Sequence, residues 1–190
     1  MPPNSASWSS NGSSEASESK SSDALESDQG VKLEVEREFV LPYPGTPAQA
    51  SVFVQNVPIS LAHVPFIHGL RLEGTDVFAD LRIDAPIIGE QHLDFHSRLE
   101  TTEDGAQLIA LQRTGKAWAE VAGQAHVTPD GATSSILYAL QIVVHLELPV
   151  TDRWGGRAFE KMAHATAQRS IERLSLEFPD GVLAAMFSSQ

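Results

Sequence analysis

The segment TPAQASVFVQNVPISLAHVPFIHGLRLEG, Thr46–Gly74, decides the fold because it inserts two short helices between two strands. Thr46 can cap the first helix, and Pro47 suits the first helical position, where a backbone N–H would have no partner anyway. Gln49 stands three residues after the cap and completes a capping box. The pattern therefore predicts a short helix over residues 48–56.

A second helical piece follows directly. Pro58 begins it, and Pro65 should end it, because the residue before a proline is pushed toward extended backbone. The predicted helix spans residues 58–64, which puts His63 near its C-terminus and His68 at the start of the next strand. The dipole of the helix favours a charged histidine at the His63 position.

Strands flank this segment on both sides. Residues 31–41 alternate between apolar and polar side chains, which is typical of a strand with one buried face. Residues 68–150 contain further alternating or apolar runs, with short turns at 103–105 and 129–131. This spacing predicts an antiparallel meander, giving about seven strands in all, with the later ones over 68–74, 76–85, 90–102, 106–113, 116–127 and 132–150.

The last part of the chain changes to helical periodicity. Its apolar positions recur as on one face of a long helix: Phe159, Met162, Ala163, Thr166, Ser170, Ile171, Leu174 and Phe178. Pro179, Asp180 and Gly181 are predicted to end this helix. Residues 182–187 then form a short apolar segment that docks on the body of the protein or on a second subunit. Strands followed by a terminal helix indicate the α+β class.

Composition limits the classes of partner. The chain has 190 residues and no cysteine, which excludes disulfides and thiolate chemistry. A net charge of -12 leaves no basic surface for nucleic acid, and no apolar run approaches the roughly 20 residues of a membrane span. We expect a cytoplasmic protein with no stable membrane insertion. The predicted domains are a disordered Ser-rich and acidic tail (1–30), one folded domain (31–178) and a C-terminal apolar extension (179–190).

The order of the elements resembles the START/Bet v 1-like superfamily, also called SRPBCC or the polyketide cyclase and lipid-transport group, as a bacterial member. The resemblance covers residues 31–178. It is carried by RWGGRAFEKMAHATAQRSIERL, which is similar to the closing helix of that family, and by Pro47, Val52, Phe53, Leu61 and Pro65 in the early helical pair. It implies a helix-grip fold, in which a curved sheet wraps the last helix and leaves a cavity for lipids, sterols or polyketides.

Small side chains on one strand point to where such a cavity lies. Ala117, Ala119, Val121, Gly123 and Ala125 share one face, which leaves room for an apolar ligand or lets the helix pack closely. The opposite register would put Trp118 inside. The predicted lining is Leu81, Ile83, Phe95, Ala119, Tyr138, Leu140, Ile142, Phe159, Met162 and Thr166, with hydrogen bonds offered by Tyr138 and Thr166. His63 and His68 are predicted at the cavity mouth.

Catalytic and metal sites are not indicated. His92, Asp94 and His96 share one strand face, but the two histidines lie about 13 Å apart at about 3.3 Å per residue, too far to share one zinc ion. His145 with Glu147, and His164 on the last helix, could do acid–base chemistry only if the fold brought them together. We therefore assign no catalytic residue, metal or cofactor.

Three functions remain after these exclusions. The first is non-catalytic binding of a hydrophobic small molecule or lipid between sheet and helix. The second is a protein-interaction module with a filled core, in one version a homodimer, formed through strand 134–148 and residues 182–187. The third is a cyclase- or hydratase-like enzyme, for which only the fold argues.

Overall fold

Seven strands and three helices make up the part of the chain that the computed structural model describes, residues 30–86, 89–147 and 156–188. Their order confirms the predicted strand, helical pair, meander and terminal helix. The predicted tail lies outside the described residues, except for Gly30. The elements are β1 (Gly30–Tyr43), α1 (Pro47–Gln55), α2 (Val57–Ser60), β2 (Ile67–Glu73), β3 (Asp76–Ala85), β4 (Gly89–Thr102), β5 (Gly105–Ala110), β6 (Ala117–Asp130), β7 (Thr133–Glu147) and α3 (Gly156–Ser188).

The helical pair begins as predicted and ends sooner. The Thr46 side chain accepts from the backbone of Gln49, whose side chain in turn accepts from the backbone of Thr46, so the capping box is present. The second helix, α2, has only four residues, Val57–Ser60, and a turn follows it. The prediction of helix to residue 64 was wrong, because Leu61 and Val64 leave the helix to bury their side chains in the core.

The seven strands form one sheet in the order β1-β7-β6-β5-β4-β3-β2, and neighbours in that order are antiparallel. Because β5 is short, β4 reaches β6 directly beyond its end, where Phe95 lies beside Ala119. Ser97 is fully buried at this junction and donates a hydrogen bond of 2.6 Å to the Val121 carbonyl.

One face of the sheet is the inner face, which is apolar and covered by α3. On β6 the structure places Ala119 and Val121 inside, at 0% and 5% exposure, and Trp118 on the outer face. The register with the small residues inside is therefore confirmed.

The last helix lies within the curve of the sheet and is tied to strands on both sides. Gln168 Nε2 donates to the Glu34 carbonyl on β1 at 3.3 Å, and Ser170 Oγ donates to the Asp84 carbonyl on β3 at 2.9 Å. This is the helix-grip arrangement, so the predicted α+β fold is confirmed. Within the described residues, no helix has both the length and the apolar content that crossing a bilayer requires.

The predicted end of α3 at Pro179 was wrong. The helix runs through Pro179 to Ser188, and its last turns bury Val182, Ala185 and Met186 at 0–1% exposure. A proline inside a helix removes one backbone hydrogen bond and crowds the preceding turn. Burial of three apolar side chains, each worth about 1–3 kcal/mol, offsets that cost. Residues 182–187 therefore continue α3 and pack on the same core.

The buried side of α3 follows the predicted stripe at Ala163, Ile171 and Phe178, but not at Met162. Met162 is 59% exposed, whereas Ala163, Ala167 and Ile171 are buried at 1–2%. Small side chains at the first two positions let the helix axis lie close to the sheet, so the larger Met162 is turned toward solvent.

Candidate functional site

An apolar cavity of about 60 Å³ lies between the inner face of the sheet and the short helices. Side chains of α1 and α2 form its roof, four strands form its floor, and Phe178 of α3 closes one side. None of the described residues that line it carries a charge. From the roof come Val54, Val57 and Ser60, from the turn after α2 Leu61, and from β2 Ile67; from the floor come Phe95, Leu99, Ala106, Gln107, Leu108, Val121, Gly123, Gln124, Ala125, Tyr138, Ala139 and Leu140.

The cavity exists because one residue in a row across the floor, Gly123, has no side chain. Leu140, Gly123, Leu108 and Leu99 face one another across four neighbouring strands. A Cβ added to Gly123 would lie 2.8 Å from the Ala139 carbonyl oxygen, so the backbone approach there requires glycine. The small side chains that were noted in the sequence of β6 thus leave the space that the roof covers.

Tyr138 supplies the one strongly buried hydroxyl of the floor. The residue is 8% exposed, and its ring stacks on Phe39 at 5.2 Å between centroids and meets Phe178 edge-on at 6.3 Å. Its hydroxyl has no hydrogen-bond partner among the described residues. Burial, with a smaller contribution from Tyr43, raises the pKa of Tyr138 far above that of an ordinary tyrosine. The phenol therefore stays protonated and is a donor, not a base.

A second hydroxyl lines the cavity from the roof. Ser60 is 3% exposed on α2, and its Oγ donates to the Val57 carbonyl at 3.4 Å. That distance is at the long limit for an O–H donor. Ser60 is therefore weakly engaged within its own helix and retains hydrogen-bonding capacity toward the cavity.

The predicted strand residues divide into two groups. Phe95, Tyr138 and Leu140 line the cavity. Four others are buried on the inner face without lining it, in other rows of the sheet: Leu81, Ile83, Ala119 and Ile142. The alternation of apolar and polar residues along the strands identified the inner face of the sheet. It does not indicate which residues of that face border the cavity.

The predicted helix residues do not reach the cavity. Phe159 and Thr166 are half-buried, and Met162 is exposed. The cavity meets α3 at Phe178, which is 12 residues beyond Thr166, or about 18 Å along the helix axis at 1.5 Å per residue. The roof residues from α1 and α2 were missed, although the apolar side chains of these two short helices had to be buried against another part of the protein.

The two histidines of the Thr46–Gly74 segment do not line the cavity. His63 is exposed in the turn after α2, where its carbonyl packs against Gly181. His68 stands opposite Asp80 on the outer face, whereas its neighbour Ile67 points inward and lines the cavity. Strand β2 begins at Ile67, one residue earlier than expected, which puts Ile67 and not His68 on the inner face.

The remaining predicted polar cluster lies on the outer face and pairs across strands. His92 Nδ1 lies 2.8 Å from Asp80 Oδ2, and His96 Nε2 lies 3.1 Å from Asp76 Oδ1. Across residues 30–86, 89–147 and 156–188, no three histidine or carboxylate side chains converge closely enough to hold a metal ion. The alternation of acid and histidine in β3 and β4 builds a polar exterior.

His145 also belongs to the outer face. Its ring stacks on Trp118 at 3.8 Å, and its Nε2 lies 3.1 Å from Glu120 Oε1 on β6. His164 is exposed on α3. These groups lie away from the cavity, so none of them can transfer a proton to a molecule bound there.

The sequence pattern of a family described as protein of unknown function, DUF3809, matches residues 38–176. The chain belongs to the DUF3809 family. A comparison with curated proteins found no match.

Solved structures show the fold of this DUF3809 protein. The solution structure of KanY protein is 12% identical with a TM-score of 0.50, covering 80% of this chain and 97% of that one. ZhuI aromatase/cyclase from Streptomyces sp. R1128 is 11% identical, with coverages of 80% and 93% and a TM-score of 0.46. A STAR-related lipid transfer protein fragment from Xanthomonas axonopodis is 16% identical, with coverages of 81% and 84% and a TM-score of 0.45. The fold is START/Bet v 1-like.

Several large apolar side chains are exposed on the described surface of the DUF3809 protein, among them Val40 and Leu137, which face each other across β1 and β7 at 60% and 41% exposure. Leu176 and Phe187 are 66% and 69% exposed on one side of α3, but the charged Asp180 lies between them on that side. On β7, Val143 is only 6% exposed.

Proposed function

We propose that this protein is a cytoplasmic binding protein for a compact apolar molecule, held without catalysis in the cavity under α1 and α2. One observation carries the proposal. An uncharged, apolar cavity is lined in part by Tyr138, whose buried hydroxyl has no hydrogen-bond partner among the described residues. Apolar walls with a few fixed polar groups are the usual composition of small-molecule sites.

Size favours a compact ligand over a lipid with long chains. Sites for drug-sized molecules have volumes of about 300–1,000 Å³. An engineered apolar cavity that binds benzene measures about 150 Å³. The cavity here, at about 60 Å³, is smaller than both. A guest with a ring therefore has to displace part of the roof, and the roof is formed by short helices of nine and four residues.

Binding without chemistry follows from the lining. Acid–base catalysis needs a group whose pKa lies near the working pH and which can reach the substrate. Tyr138 is the titratable side chain of the described lining, and burial raises its pKa in the direction that keeps its proton in place.

Small apolar probes test the proposal directly. Xenon, measured by ¹²⁹Xe chemical shift, and benzene, measured by the rise in Tm, should bind the wild-type protein, because a ligand that binds only the folded state stabilises it. Ala125→Leu fills the cavity from β6 and should abolish both responses. Ala122→Leu makes the same change on the outer face of the same strand and should leave both intact.

Folding of the filled variant is checked by circular dichroism, and Ala106→Val, a smaller change in the same lining, replaces it if needed. A wild-type protein that takes up neither xenon nor benzene contradicts the proposal, as does an undiminished response in the filled variant. Native mass spectrometry of protein purified from its own host then identifies the natural ligand by mass.

A further inference from the structure

A surface pocket of about 260 Å³ lies on the outer face of the sheet, at the end where β1 begins and β7 ends. Lys32, His145 and Trp118 line it from directly opposite positions on β1, β7 and β6. Lys116, just before β6, and Glu147, at the end of β7, also line it. This pocket is separate from the apolar cavity, because the two have no lining residue in common.

Lysines are concentrated at this pocket. The chain has a net charge of -12, and its described residues contain three lysines, of which Lys32 and Lys116 line the pocket while Lys161 lies on α3. Neither Lys32 nor Lys116 forms an ion pair with a described residue. Glu147 bonds to Lys116 through the backbone, its N–H donating to the Lys116 carbonyl at 2.8 Å. With His145 neutral, the lining therefore has one excess positive charge.

Two stacked rings form part of the pocket wall. The Trp118 indole and the His145 imidazole lie 3.8 Å apart at an angle of 3° to each other. His145 Nε2 lies 3.1 Å from Glu120 Oε1, a contact that holds the imidazole in place, and Glu120 does not line the pocket. The His145 side chain is 27% exposed, and Trp118 is half-buried. The wall is therefore aromatic, held in position and partly accessible.

The size and chemistry of the pocket define a class of guest. Its volume of about 260 Å³ exceeds the roughly 150 Å³ of an engineered cavity that binds benzene, and it lies just below the range of about 300–1,000 Å³ for drug-sized molecules. A single ring with one substituent suits that volume. Ammonium groups bind carboxylates through charge-assisted hydrogen bonds, and aromatic rings stack favourably on aromatic side chains. One excess positive charge matches a monoanion.

We propose that this pocket is a second binding site, for a small aromatic carboxylate such as benzoate. The carboxylate pairs with the Lys32 and Lys116 ammonium groups, and the ring packs against Trp118 and His145. Binding here needs neither the cavity nor the α1–α2 roof. Because both lysines are exposed, each ion pair contributes little, and binding weakens as the salt concentration rises.

Three probes separate the contribution of charge from that of the ring: benzoate, benzamide and cyclohexanecarboxylate. Benzamide keeps the aromatic ring without the charge, and cyclohexanecarboxylate keeps the charge without the aromatic ring. Binding to the full chain is followed by NMR titration of the Trp118 indole N–H signal, which is assigned by its loss in Trp118→Phe. The test variants are Lys32→Gln and Lys116→Gln. The matched control is Lys161→Gln, which removes the same charge at an exposed position of α3.

Benzoate should bind the wild type more tightly than either of the other probes. Lys32→Gln and Lys116→Gln should each weaken benzoate binding by about two- to fivefold, the range for an exposed ion pair, and leave benzamide binding unchanged. Lys161→Gln should leave benzoate binding unchanged. Ala125→Leu, which fills the apolar cavity, should also have no effect, because Ala125 does not line this pocket.

Each contrary result overturns a stated part of the proposal. A Trp118 signal that does not respond to benzoate overturns the site itself. Equal weakening by Lys161→Gln does so too, because only the overall charge would then attract the anion. Benzamide binding as tightly as benzoate overturns the role of the lysines, and equally tight binding of cyclohexanecarboxylate overturns the role of the rings. Loss of benzoate binding in Ala125→Leu would place the guest in the apolar cavity instead.

Discussion

Replacing Gly181 by alanine tests how closely α3 packs against the turn between α2 and β2. A Cβ at position 181 would lie 2.7 Å from Val64 Cα, 2.9 Å from the His63 carbonyl oxygen and 3.0 Å from Val64 N. All three are backbone atoms, so no side-chain rotation can relieve the overlap. The turn also leads from the cavity residue Leu61 to Ile67, so its position bears on the roof.

Two effects of opposite sign decide the outcome. Glycine inside a helix is less favourable than alanine by about 1 kcal/mol, so helix propensity alone predicts that the variant is more stable. Forcing an extra carbon into a packed contact costs about 1–3 kcal/mol. Because the added Cβ would overlap three backbone atoms, we expect a cost in the upper part of this 1–3 kcal/mol range. The net expectation is a loss of about 1–2 kcal/mol, or a Tm lower by about 2–8 °C.

Thermal and urea unfolding of the full chain measure this loss. Ala184→Gly, at an exposed position of the same helix, measures the propensity effect alone and should cost about 1 kcal/mol. Gly156→Ala introduces a Cβ with no atom within 4 Å and should be neutral or slightly stabilising. A Gly181→Ala protein that is more stable than the wild type would refute the close packing of α3 on the turn.

Three further predictions concern buried polar groups and the orientation of α3. Ser97→Ala leaves the Val121 carbonyl buried without its donor and should lower the free energy of unfolding by about 1–3 kcal/mol in urea titrations; a change below about 0.5 kcal/mol contradicts the role of that hydroxyl. The raised pKa of Tyr138 means that the folded state holds a proton that the unfolded state releases above pH 10, so stability is complete below that pH and falls above it. Above pH 10, the free energy of unfolding of the wild type should fall relative to that of Tyr138→Phe by up to about 1.4 kcal/mol per pH unit. Parallel pH profiles of the two proteins would show that the folded state does not hold the Tyr138 proton more tightly than the unfolded state. Met162→Gln should change stability by less than about 0.5 kcal/mol, whereas Ala167→Gln should cost more than about 2 kcal/mol; similar costs at both positions would refute the orientation of the helix.

The sequence predicted the elements of this fold well because their signals are local. The capping box of Thr46 and Gln49 and the alternation along β1 and β6 each depend on residues a few positions apart. The same alternation identified the inner face of the sheet and placed Tyr138 on it. The predictions that failed depended on distant parts of the chain.

Pro179 shows why a local signal is overridden. Proline disfavours a helix interior locally, yet the last turns of α3 bury apolar side chains in the core and lie against the turn at His63 and Val64, more than one hundred residues earlier. The predictions for the site also succeeded where the signal was local and failed where it depended on tertiary packing. Three predicted residues, Phe95, Tyr138 and Leu140, line the cavity, while Met162 and His68 face elsewhere because helix rotation and strand start depend on tertiary packing.

By itself, the sequence determined the order of the elements, the apolar face of each strand and the small side chains of β6, because periodicity, capping and turn chemistry act between near neighbours. Only the tertiary structure decided how α3 is rotated, where it crosses the sheet and which row of the floor stays uncovered. Those outcomes depend on the joint packing of β4 to β7 with the α1–α2 roof and Phe178. The cavity that Tyr138 lines is a product of that packing, and no single segment of the chain encodes it.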